Sequence, residues 1–151
     1  MPNFFNALPS GWQAIIGDVT KYTDNDGNHG TKNPAQTSDV TATTDKLFIP
    51  SEYEVFGQCR YSNTGEQSKQ QRYEWFSSTP TGYAVPRYQH DLITQPAIWW
   101  LRSVRKDSTN QYCYVGNQYN SLDGNIEDIS SYCGVGSASC ALDILPCFAV
   151  F

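Results

Sequence analysis

Residues 97–105 read AIWWLRSVR. Successive side chains of a strand point to opposite faces. Ala97, Trp99, Leu101 and Ser103 would then share one side, and Ile98, Trp100, Arg102 and Val104 the other. Both sides are largely apolar, the pattern of a strand covered on both faces. A chain of 151 residues must place such a strand centrally, between a helix layer and a loop layer. Trp99 and Trp100 are assigned to the core on this basis. Arg102 is assigned a structural role, its planar fork tying carbonyls or carboxylates of nearby loops.

Aromatic area has to supply much of the packing. Hydrophobic residues make up 39% of the chain and charged residues 17%, while Tyr and Trp number ten and four. Ser, Thr, Asn, Gln and Gly fill the difference, a mixture suited to β-rich, loop-rich proteins. The net charge is −5 and no long Lys/Arg cluster occurs, so the electrostatic footprint of nucleic-acid binding is missing. No apolar run reaches the roughly 18 residues of a membrane span. The opening MPNFFNALPSGW has no basic segment followed by an apolar one, so no signal peptide is expected.

The spacing of Trp12, Ile15, Ile16 and Val19 predicts a helix over 8–22, with Trp12 and Ile16 facing the core. Residues 23–45 have almost nothing to bury and read as a long polar loop with a short strand near Val40. Its Asp24-Asn25-Asp26-Gly27-Asn28 run lacks the acidic offsets and distal Glu of a calcium loop, and a solvated turn is expected. Residues 46–50 read as a strand ending at Pro50. Ser51 with Glu54 forms a capping box, and Gly57 stands where the short helix would stop. A second polar helix is expected over 65–78, with Tyr73 and Phe76 inward. Residues 79–96, with three prolines, read as irregular. Strands are expected at 111–116 and 144–151, with Cys113 and Val115 inward and Tyr112 and Tyr114 opposite. Residues 117–143 show little periodicity. The order of elements is α+β, in one compact domain with a small, mostly antiparallel sheet, two or three short helices and long polar loops. Residues 1–7 form an N-terminal arm and 8–150 the domain.

The five cysteines, at 59, 113, 133, 140 and 147, are an odd number, include no CxxC and fit no zinc spacing. They read as free and mostly buried, and neither a metal nor a cofactor is expected.

Several segments occur in a fixed order: VTKYTDN (19–25), VTATTDKLFIPSEYEVFG (40–57), YSNTGEQSKQQRYEWF (61–76), AIWWLRSVR (97–105), YCYVG (112–116) and ILPCFAV (144–150). Together they resemble a domain of unassigned biochemical function from phages and prophages of Gram-positive bacteria. Its members carry a Pro-Ser-x-x-Glu-Val segment, then Trp-Trp-Leu-Arg-Ser, then an aromatic-Cys-x-Val strand and a closing strand. The likeness spans about residues 8–150. It departs at the end, where Ala141–Leu145 precedes Pro146 in place of a nearby Gly-Val. The resemblance implies a C-type-lectin-like fold, loosely akin to formylglycine-generating enzymes, in a virion- or tail-associated protein assembled in the host cytoplasm.

Three functions are weighed. The first is a non-enzymatic display domain that binds a host-surface protein or glycan through loops 105–143. Its ligand-binding candidates are Arg105, Asn110, Tyr112, Tyr114, Asn117, Tyr119, Asn120 and Tyr132, because Tyr gives rigid area and Asn adaptable hydrogen bonds. A stable homotrimer is the expected form of such a domain. The second is a structural capsid decoration or tail component that contacts only other virion subunits. The third is a tail-associated cell-wall or glycan hydrolase. Its support is thin: Glu52 and Glu54 are two apart on one helix, His29 and His90 lie in loops, and no nucleophile motif occurs. No catalytic residue is assigned.

Overall fold

The computed structural model describes residues 4–26, 29, 34–77, 98–117 and 131–151. The Trp-Trp segment forms β4 (Trp99–Val104), which pairs antiparallel with β5 (Gln111–Asn117) and parallel with β7 (Asp143–Ile144). β6 (Ser131–Ser137) pairs antiparallel with β5, giving a four-stranded sheet of order β6-β5-β4-β7. β4 is thus an interior strand. A second pair joins β2 (Val19–Asp24) to β3 (Val40–Asp45), and a third joins β1 (Ile16–Gly17) to β8 (Ala149–Val150), close to the chain ends. Three short α-helices, α1 (Ser10–Ile15), α2 (Glu52–Phe56) and α3 (Glu74–Ser77), and 3-10 turns at Phe4–Ala7, Thr37–Asp39 and Thr64–Glu66 complete the described part. The architecture is α+β, mostly antiparallel. No helix among the described residues is long and apolar enough to cross a membrane.

The core lies on one face of β4. Trp99 and Leu101 pack there with Cys113, Val115 and Cys133 of β5 and β6, and with Val55, Phe56 and Phe76 from α2 and α3. The opposite face is less covered than the two-sided apolar pattern predicts, and Trp100, assigned to the core, is only half-buried and lies outside the core cluster.

The β4–β5 register shifts between Trp100 and Val104. This irregularity turns Arg102 and Ser103 toward other partners. The Arg102 amide donates to the Pro50 carbonyl at 2.9 Å, and the Ser103 hydroxyl accepts from the Glu52 amide at 2.9 Å. The start of α2 therefore docks on the bulge. The helix begins with the expected box: Ser51 Oγ accepts from the Glu54 amide and the Glu54 carboxylate from the Ser51 amide. It ends at Gly57, whose φ of 69° is the left-handed region that glycine enters without strain.

Several expectations are corrected. The 8–22 helix is confined to Ser10–Ile15; Ile16 and Val19 belong to strands, because β-branched residues beside Gly17 find partners in β8 and β3. Ile16 is buried, but Trp12 is 48% exposed and outside the core, edge-on against Phe148 at 5.5 Å. The 65–78 helix survives only as α3, after a 3-10 turn at Thr64–Glu66. The side chains between them bond to other elements: Lys69 to the Val40 carbonyl, Gln70 to Tyr22 and Arg72 to Val55. Residues 46–50 make a single bridge, Phe48 with Cys147. The closing strand is split into β7, that bridge and β8. Residues 117–143 include a full strand, β6. Residues 79–96, expected to be irregular, lie outside the described residues.

Replacing Trp99 by Ala should cost about 3–5 kcal/mol, as for a core aromatic. Trp12→Ala should cost about 1 kcal/mol, the scale of one aromatic edge contact. Denaturant unfolding of the two variants checks this difference.

Candidate functional site

The outer face of the sheet carries an aromatic cluster. Trp100 meets Tyr112 at 6.4 Å and Tyr114 at 6.1 Å between ring centroids, both edge-on. These are favoured aromatic geometries. Tyr112 stands 37% exposed. Opposite it in register is Gly136, and opposite Tyr114 is Gly134. A Cβ on Gly134 would strike the Tyr114 ring, and one on Gly136 would sit 3.2 Å from the Trp100 ring. The two glycines leave room over β6 for the Tyr114 and Trp100 rings, and the three rings together form an aromatic shelf.

Arg105 follows β4 in the turn to β5. It pairs with Asp107 through Nε and donates to Gln111 Oε1 at 2.8 Å. Asn110 lies exposed in the same turn, bonded to Ser108. The candidates Arg105, Asn110, Tyr112 and Tyr114 thus fall on one hairpin, Arg105 and Asn110 in its turn and the tyrosines on β5. Asn117 and Tyr132 are placed in β5 and β6 as backbone only. Tyr119 and Asn120 lie outside the described residues.

Around β4 runs a buried polar network; the sequence pointed to Arg102 as a tie to carbonyls and carboxylates but not to most of its partners. Glu54 accepts from Lys21 Nζ at 3.0 Å and from Arg102 Nη1 at 2.6 Å. Arg102 also donates to the Ile49 carbonyl at 2.8 Å and to Gln70 Oε1. Lys21 donates to the Tyr73 hydroxyl at 2.6 Å and sits 4.0 Å over the Phe48 ring. Burial raises the Glu54 carboxyl, but the bond to Arg102 and its charge more than offset this, and the net direction is down. Glu52 takes the backbone N–H groups of Arg60, Tyr61 and Ser62 at 2.7–3.2 Å. Glu66 accepts from Ser103 at 2.8 Å and Thr23 at 3.1 Å. Asp24 takes His29 Nε2 and Asn63 Nδ2, both at 2.8 Å. His29, expected in a solvated loop, is buried.

Two groups of possible metal ligands occur among the described residues: Asp24, His29 and Asp39, and Glu52, Cys113 and Cys133. A polar cleft of ≈ 400 Å³ opens between β2 and residues 69–74. Many of its polar side chains, such as Lys21, Lys69, Gln70 and Arg72, already bond within the protein. The five cysteines are free; Cys113 and Cys133 are buried and Cys140 exposed.

The chain belongs to the DUF6273 family. The family model, described as a domain of unknown function, matches residues 2–150. No curated protein and no solved structure matches it. In this DUF6273 domain, the sequence held two signals for the network: the capping box, which identified Glu54, and the arginine within the apolar strand, which identified Arg102 as a tie to carbonyls and carboxylates. Glu52, Glu66 and Lys21 carry no pattern that separates them from surface charges.

Two predictions follow from the network. Arg102→Met should destabilise the domain by about 3 kcal/mol, the low end for breaking a buried pair because Lys21 still holds Glu54; chemical denaturation measures it. The second concerns pH. Burial raises the Glu66 carboxyl to about 7, and the bond to Asp24 raises His29 above its usual value. Both hold their proton more tightly when folded. Their contribution is complete below the unfolded values and is lost as pH rises through the folded ones. The melting temperature should therefore fall as pH rises from about 5 through about 7, the span set by Glu66. Glu66→Gln, which cannot ionise, should flatten part of that fall in calorimetry.

Proposed function

We propose that this domain is a non-enzymatic binding module on a phage particle, presenting its outer aromatic face to a host-surface protein or glycan. The supporting observation is the Trp100–Tyr112–Tyr114 shelf, half-open to solvent and floored by Gly134 and Gly136. Aromatic rings fixed by packing offer contact area at low entropic cost. Arg105 and Asn110 beside the shelf add polar contacts. Against catalysis stands the state of the buried carboxylates: Glu52, Glu54 and Glu66 each take internal donors that hold the fold together. We take the fold to be C-type-lectin-like; the mostly antiparallel sheet and short helices agree with this. The virion setting rests on the resemblance to phage and prophage domains.

A second reading, a structural virion component, draws on another observation. Trp12, Ile15, Phe148, Val150 and Phe151 are all exposed around the paired β1 and β8, with Phe151 at 86%. Exposed apolar groups gathered in this way mark protein contacts. This surface suits attachment to another virion subunit, while the shelf faces outward.

The purified domain should bind cells of the bacterium that hosts the phage. Tyr112→Ala should weaken binding by about tenfold or more, the scale of an aromatic hot spot, with little change in melting temperature. Unchanged binding by Tyr112→Ala and by Arg105→Ala would remove the shelf as the contact surface. Binding lost only in Phe148→Ala or Phe151→Ser would favour the structural reading.

A further inference from the structure

Glu52, Cys113 and Cys133 come from three elements, α2, β5 and β6, and all three are buried. One ligand atom from each lies within 4.8 Å of the other two. Neither the aromatic shelf nor the Arg102–Glu54 network uses the two thiols.

The strand register rules out the ordinary use of a cysteine pair. Cys113 is opposite Val135, and Cys133 is opposite Val115. The cysteines are therefore diagonal neighbours, with Cα atoms about 7–8 Å apart by ordinary sheet geometry. A disulfide usually spans roughly 4.4–6.8 Å, so a bond here would need the strands to move. A cation makes no such demand, because it holds its ligands apart. Tetrahedral zinc, with bonds of about 2.3 Å to sulfur and about 2.1 Å to oxygen, separates neighbouring S and O ligands by about 3.6 Å. The Cys113 thiol donates to Glu52 Oε2 at 3.8 Å, close to that separation, so a cation replacing the S–H proton needs little movement of either atom.

The carboxylate is already oriented. Three backbone N–H groups from residues 60–62 fix its oxygens, and its own amide is held by Ser103. Outer contacts of this kind position a metal ligand.

We propose that Glu52, Cys113 and Cys133 form a buried three-ligand site for one thiophilic cation of the zinc class. Binding replaces two S–H protons: Zn2+ plus two thiols gives a zinc dithiolate and two released protons, with Glu52 supplying the oxygen. The site is structural. It clamps β5 and β6 to the start of α2, directly behind the aromatic shelf, and it stands whether or not the shelf binds a host.

The test uses the chain with Cys59, Cys140 and Cys147 changed to Ser, kept reduced and given Zn2+. Native mass spectrometry should show one retained ion per chain, with a mass gain equal to zinc less two protons, and a chelator should remove it. Cys113→Ala or Cys133→Ala should weaken retention by more than about a hundredfold, beyond the effect of outer-contact changes. No retained ion, a gain without proton loss, or equal retention in the alanine variants would overturn the proposal. If those variants fail to fold, Cd2+ titration of the parent decides. Thiolate-to-cadmium absorption that saturates at a single equivalent supports the site, and its absence overturns it.

Discussion

The Glu54 carboxylate joins parts of the molecule that the chain keeps far apart. One oxygen meets Lys21 on β2, and the other meets Arg102 on β4 and the amide that opens α2. A hairpin, the central strand and a helix thus converge on one anion. A buried charge is tolerable only when its partners are complete, so this contact couples the placement of all three. The Glu54 carbonyl extends the coupling by accepting the Tyr73 amide, which leads into α3.

The bulge in β4 makes this convergence possible. Regular pairing would engage the Arg102 amide in the sheet ladder. The register shift lets it reach Pro50 instead, and Ser103 then bridges the Glu52 amide to the Glu66 carboxylate. The polar network and the apolar core therefore meet on the same few residues. Leu101 packs into the cluster while its neighbour Arg102 is tied to carbonyls and carboxylates. Such support holds Trp100 and the tyrosines of β5 as a fixed surface, which is what a recognition face requires.

Sequence periodicity fared unevenly for identifiable reasons. It found β4 and β5 because their alternation reflects burial that every neighbouring strand enforces. It found α2 because a capping box is a local interaction, complete within four residues. It failed at 8–22, where a helical spacing of apolar residues is shared between a short helix and two strand pairs. It failed again at 65–73, where Lys69, Gln70 and Arg72 serve carbonyls of distant segments rather than a helix. Trp12 shows the limit of reading burial from residue type. A Trp near a chain end can satisfy one edge contact and remain open to water.

The sequence by itself determined the interior strand, the capped helix, the inward Cys113 and Val115 and the outward Tyr112 and Tyr114. Each follows from spacing along one segment. Only the tertiary structure decided that Glu52, Glu54 and Glu66 are buried, that His29 meets Asp24, and that Cys113 and Cys133 lie diagonally beside Glu52. The physical reason is that a charged side chain is buried only when partners from other segments surround it, and no local pattern records where those partners will come from.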